Sequence, residues 1–133
     1  MSSDIPRFHD GLLVGIILRE GSATVHVKDA SGVEYALDLD GIEALQMDEF
    51  RQANSISNIE VVEGRTPDAD TVFDRLFWPP HASAGQEYHD EHATLVRRQV
   101  NQIEAGELKL VLIVPSYGAD LLAVCRHISC RAI

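Results

Sequence analysis

Between Gln86 and Gln99 the chain reads QEYHDEHATLVRRQ, and four consecutive residues in it, His89-Asp90-Glu91-His92, carry side chains that metal ions and proton transfers use. Imidazoles and carboxylates ligate zinc, and a histidine beside a carboxylate is a common acid–base pairing. Which way each side chain points decides whether they can act together. The segment is predicted to be a helix: Ser83 and Gln86 have the spacing of a capping box, and Gly106 is a natural stop. With each residue turned by about 100° from Tyr88, the apolar residues Leu95, Val96, Val100 and Ile103 form a stripe centred at about 50°. His92, at about 40°, lies inside that stripe, and His89, at about 100°, lies toward its edge. Asp90, at about 200°, points away.

The pattern supports two readings. In the first, His89 and His92 converge at i, i+3 and bind a metal, with His9, Asp10 or His26 completing the set from elsewhere. The sequence HDEH lacks the HExxH spacing of zinc proteases, in which two histidines stand at i, i+4 around a catalytic glutamate. In the second, His92 is partly buried, turned toward the apolar side, and donates to a backbone carbonyl, while His89 sits at the helix boundary. Glu87 and Glu91 then suit the positive end of the helix dipole, and Arg97 and Arg98 the negative end. Ordinary helix physics accounts for most of the pattern, and the second reading is preferred.

Other residues that could do chemistry also have structural explanations. In Phe8-His9-Asp10-Gly11, adjacent strand residues would point to opposite faces, so a turn shaped by Asp10 and Gly11 is expected rather than an acid–base pair. Ser116-Tyr117-Gly118 has neither a nucleophile elbow nor a phosphate-binding loop around it. Trp78 with Phe73 and Phe77 is either a partner-binding anchor or core, and the helical spacing favours core. Cys125 and Cys130 are read into one strand, about 16 Å apart on opposite faces. That exceeds the roughly 7 Å a disulfide allows. Free thiols with a structural role, in a reducing cytoplasm, are expected.

The elements that must position these residues are legible in outline. Leu12 to Leu18 reads as a buried strand. Ala23 to Lys28 and Val33 to Asp40 alternate inward and outward, with turns at Arg19-Glu20-Gly21 and Asp29-Ala30-Ser31-Gly32. Gly41 to Asn58 is read as a folded loop and Ile59 to Val62 as a fourth strand. Thr66 and Pro67 open a short helix as N-cap and first residue, Val72, Phe73, Leu76 and Phe77 form its buried stripe, and Trp78-Pro79-Pro80 ends it. A terminal hairpin runs from Leu108 to Val114 and from Leu121 to about Cys130. The expected fold is α+β in one domain over 1–133: a mainly antiparallel, twisted sheet, in the order β-β-β-loop-β-α-α-β-β, with the long helix packed on one face.

Composition narrows the function. The chain has 133 residues, 45% of them hydrophobic and 24% charged, with a net charge of −10. The N-terminal residues show no secretory signal pattern, and no apolar run approaches the roughly 20 residues a membrane helix needs. The stretch from Glu34 to Asp74 holds eleven acidic residues against Arg51 and Arg65, a net of −9. Such a surface repels nucleic acids and anionic membranes and suits a basic or polar protein partner.

Phe8-His9-Asp10-Gly11-Leu12 with Gly15-Ile16, the stretch Leu39 to Leu45 and the stretch Phe50 to Ile56 together resemble small uncharacterised bacterial domains that open with an FHDG-L-GI strand. The likeness covers roughly the first 60 residues. It implies a bacterial origin and a β-meander, and it carries no activity. The sequence leads to a small cytoplasmic binding or adaptor-like protein that needs no cofactor, an immunity role being suggested by fold analogy alone. Its acidic surface would include Glu34, Asp38, Asp40, Glu43, Asp48 and Glu49. The alternatives are the metal site above and a homo-oligomer that buries an exposed sheet edge.

Overall fold

A computed structural model of the chain describes residues 5–67 and 70–133. Its strands are β1 (Leu12–Arg19), β2 (Ser22–Lys28), β3 (Glu34–Asp40), β4 (Ala44–Asp48), β5 (Ser55–Val62), β6 (Lys109–Tyr117), β7 (Asp120–Cys125) and β8 (His127–Ala132). Its helices, α1 (Asp70–Leu76) and α2 (Gln86–Glu104), lie between β5 and β6. The fold is α+β, and every strand pairing is antiparallel, in the order β4-β7-β6-β5-β1-β2-β3-β8.

That order conceals a ring. β3 runs on into β4, and β7 runs on into β8, so the ladders β3·β8 and β4·β7 join the same two stretches of chain. Hydrogen bonds cross the corner between them: Arg126 N donates to Asp40 O at 3.0 Å, and Glu43 N to Val124 O at 2.8 Å. On the far side, Leu13 N donates to Asn54 O at 2.9 Å and Ile56 N to Gly11 O at 2.8 Å. Six ribbons therefore close into a barrel. Closure removes most of the unpaired edge that an open sheet would present. Unpaired stretches remain: the side of Val14–Arg19 away from β2, the side of β4 away from β7 and the side of β8 away from β3 meet no strand among the described residues.

Alternation fills the barrel. Leu13, Val25, Val27, Leu37, Leu39, Ile56, Ile59, Val111, Ile113, Leu121, Ala123 and Ile128 point inward and are buried together. A second core lies outside the barrel wall, where Val62, Leu108, Leu110 and Val124 meet Phe73 of α1 and Ile103 of α2. The strands over which the helices lie are thus apolar on both faces, like the strands of a covered sheet.

Several expectations are corrected. The stretch read as a loop contains β4, whose Leu45 and Met47 pack toward the barrel core. β5 begins at Ser55 rather than Ile59. The terminal hairpin turns tightly at Gly118 and Ala119, and its second arm splits at Arg126 into β7 and β8. Arg126 is an extra residue at the corner, and it reverses the inward–outward parity of β8 relative to β7. Cys125 and Cys130 therefore both face the barrel core rather than opposite sides. α2 has Gly85 at its N-cap with no side-chain cap; Ser83 Oγ instead contacts His81 Nδ1 at 2.7 Å, so no capping box forms. The described part of α1 starts at Asp70, and Pro67, expected as its first residue, is not helical; residues 68 and 69 lie outside the described residues. Among the described residues no helix is long and apolar enough to cross a membrane.

Candidate functional site

The structure spreads the candidate histidines over three separate elements. His9 stands on the turn before β1, 75% exposed in its side chain, with Nδ1 at 2.9 Å from Ser57 O and Nε2 at 3.5 Å from Asp10 Oδ2. His26 projects from the outer face of β2, its Nε2 3.3 Å from Glu34 Oε1 in poor hydrogen-bond alignment. His89 and His92 lie on α2. Nε2 of His92 donates to the carbonyl of Phe77 at 2.8 Å. This bond ties the end of α1 to the second turn of α2. Among the described residues no three His, Cys, Asp or Glu side chains are grouped to hold a metal ion.

The acidic residues are also dispersed, and most have found cations. Asp38 accepts from Arg131 Nε at 2.7 Å and from Thr24 Oγ1 at 2.8 Å. Glu34 lies 3.9 Å from Lys28 Nζ, and Glu49 lies 3.0 Å from Arg51. Asp48 and Asp120 are directly opposed on β4 and β7, where two like charges would repel. Arg75 of α1 bridges them at 3.0 and 3.1 Å. Glu43 accepts from Gln99 Nε2 at 3.4 Å. Asp40 is exposed. Cations from outside the acidic stretch (Lys28 and Arg131), together with Arg75 just past its end, thus compensate much of its charge.

The Asp38 ion pair has a pH signature. The Arg131 guanidinium, with help from the Thr24 hydroxyl, holds the Asp38 carboxyl below its ordinary value of 3.8. A carboxylate whose folded pKa is depressed adds stability above its unfolded value and loses it as pH falls through the folded one. Melting curves from pH 5 downward should therefore show Asp38→Asn losing less stability below about pH 4 than the parent chain. The difference should stay under about 1 kcal/mol, because Arg131 is well exposed.

Burial works against the thiolate form of both cysteines. Burial pushes the Cys125 thiol up to about 11 and raises that of Cys130 as well. Reactivity belongs to the thiolate, so the shift disfavours it, most strongly at the buried Cys125.

An exposed aromatic surface lies where the end of α1 meets α2. At the end of α1 the apolar stripe splits. Phe73 is 2% exposed and Phe77 packs beside it, whereas Trp78 is 84% exposed. Trp78 lies two residues past Leu76, the last of the helix, and Pro79 and Pro80 keep the helix from continuing. The chain then returns along α2, and the His92–Phe77 bond holds the two together. The result is a shallow groove of ≈ 300 Å³ lined by Trp78, Pro80, Tyr88, Glu91, His92 and Leu95. Tyr88 is 55% exposed, and neither Glu87 nor Glu91 makes an ion pair among the described residues.

Sequence reasoning missed two buried polar groups. Gln99 falls at about 20° on the α2 wheel, inside the stripe, and is 2% exposed. Asn54 is also 2% exposed and joins three segments of chain by hydrogen bonds. The wheel held the signal for Gln99. For Asn54 no local pattern did. No protein-family model, no curated protein and no solved structure matches the chain.

Proposed function

We propose that this chain is a non-catalytic binding protein that receives a basic segment of a partner protein in the Trp78 groove. The observation that carries the reading is Trp78 itself, 84% exposed beside Tyr88. Isolated exposed apolar residues need no explanation. A tryptophan, a tyrosine and a proline around one groove have the composition of a binding hot spot. Glu91 at the rim, with Glu87 one turn earlier, sets the sign of what binds. A lysine or arginine side chain laid across Trp78 would gain a cation–π contact worth about 1 kcal/mol, with an unpaired carboxylate close by. The net charge of −10, including the acidic stretch with Glu34, Asp38, Asp40, Glu43, Asp48 and Glu49, would raise the rate of encounter rather than make the contact.

Trp78 is the sole tryptophan, so its fluorescence reports on the groove directly. Titrating a short lysine- or arginine-rich peptide at low salt should shift the emission saturably. Glu91→Gln should weaken the apparent affinity about threefold, and Trp78→Ala, followed by calorimetry, about fivefold. Binding should weaken markedly at about 0.5 M salt. No emission change at low salt, or binding indifferent to both substitutions, would sink the reading.

A further inference from the structure

We infer that β1 is a second, separate interface, on which another copy of this chain docks edge to edge about a twofold axis at Ile17. The unpaired side of Val14–Arg19 leaves backbone N–H and C=O groups without a strand partner among the described residues, and an edge of this kind templates another strand unless something blocks it. Natural edges carry lysines, prolines or inward-pointing charges as guards. From Leu12 to Leu18 this strand has none, only a bulge between Leu13 and Gly15. Instead it exposes Val14, Ile17 and Leu18 at 43, 59 and 64%. Ile133, 67% exposed, lines the same outer-face hollow as Ile17.

Why a second copy rather than another partner? Read antiparallel to itself about Ile17, the strand sets Ile16 against Leu18 and Gly15 against Arg19, with Ile17 facing its own equivalent. Arg19 and Glu20 then fall at the two ends and are never opposed like to like. The outer face beside β1 is close to neutral, because Lys28, Arg19 and Arg131 are set against Glu34 and Asp38. Two chains of net charge −10 can meet there without bringing their acidic surfaces together. A twofold interface must be self-complementary in this way.

Sedimentation velocity across a dilution series should show a monomer–dimer equilibrium. Salt should leave the dimer intact or tighten it, the opposite of its effect on the basic peptide. Ile17→Lys changes a side chain already 59% exposed and should yield monomer that melts as the parent does at concentrations where the parent is monomeric. Trp78→Ala should leave the dimer unaffected, which separates this interface from the groove. Ile17→Cys should form a covalent dimer under mild oxidation, because directly opposed residues bring their Cβ atoms to within about 5 Å. A chain that stays monomeric at every concentration overturns the inference. So does a dimer indifferent to Ile17→Lys, or one that Ile17→Cys fails to cross-link.

Discussion

Asn54→Ala is expected to cost about 4 kcal/mol and to lower the melting temperature by roughly 10 to 15 °C. Asn54 is 2% exposed, and both ends of its amide are in use. Its Oδ1 accepts from Arg51 N at 2.8 Å and from Ala119 N at 2.9 Å, while Nδ2 donates to Arg51 O at 2.8 Å and Leu13 O at 3.3 Å. One side chain thus links the β1 entrance, its own loop and the β6–β7 turn. Alanine removes those bonds and strands the Ala119 N–H where water does not replace the partner. Orphaning a buried donor costs more than the bond itself contributed. The turn leaves no room to compensate: a Cβ at Gly118, φ +85°, would lie 2.5 Å from Asn54 Oδ1. Chemical denaturation with an unchanged m-value would check the size. Asn54→Asp gives a sharper test. Its anion would face two carbonyl oxygens, so that variant should gain stability on acidification, where a neutral carboxyl can donate as the amide did.

Gly11→Ala should be nearly as severe, at about 3 kcal/mol. A Cβ there would stand 2.4 Å from Lys28 O and 2.9 Å from Phe8 O, both backbone atoms that cannot swing aside. The turn holding Gly11 is already under strain, with Phe8 at φ 54° and Asp10 at φ 62°. Side chains seldom adopt this region, and each instance costs on the order of 1–3 kcal/mol unless its surroundings compensate. Here they do. Phe8 is buried and meets Tyr35 edge to face at 5.3 Å, and Gly11 N donates to Phe8 O at 2.8 Å. Displacing Gly11 would disturb all of these at once. Gly15→Ala is the matched control, since a Cβ there meets nothing within 4 Å. It should change the melting temperature little. Comparable losses in both variants would show that backbone freedom, not the clash, decides the Gly11 effect.

The legible parts of the fold are those with long, regular periodicity. β2 and β3 alternate over seven residues each, and α2 keeps its stripe through 19. β4 carries the same period, with Leu45 and Met47 inward and Gln46 outward, but five residues after a glycine give a weak signal. The Arg126 corner has none, because one inserted residue reverses which side chains face inward without altering composition. The ion pairs that compensate the acidic stretch are illegible for a different reason. Arg131 and Asp38 are 93 positions apart, and Arg75 and Asp120 are 45 apart. Charge summed along a sequence window is therefore a poor guide to charge on a surface. Trp78 reads as core in the sequence because its neighbours Phe73 and Phe77 lie on the stripe, whereas it lies one residue past them.

The corner at Arg126 also bears on how the chain finds its structure. β8 pairs along β3, so Tyr35 must wait for Ala132 and Asp40 for His127 before the ring can shut. Pairings this distant in sequence carry a heavy loop-closure cost before they return any contact energy, and such topologies fold in milliseconds to seconds rather than microseconds. While the ribosome is still making the helices, β3, β4 and β5 lack their partners β8, β7 and β6, and the apolar inner face is bare. Synthesis therefore passes through a stage at which this chain is at its most adhesive.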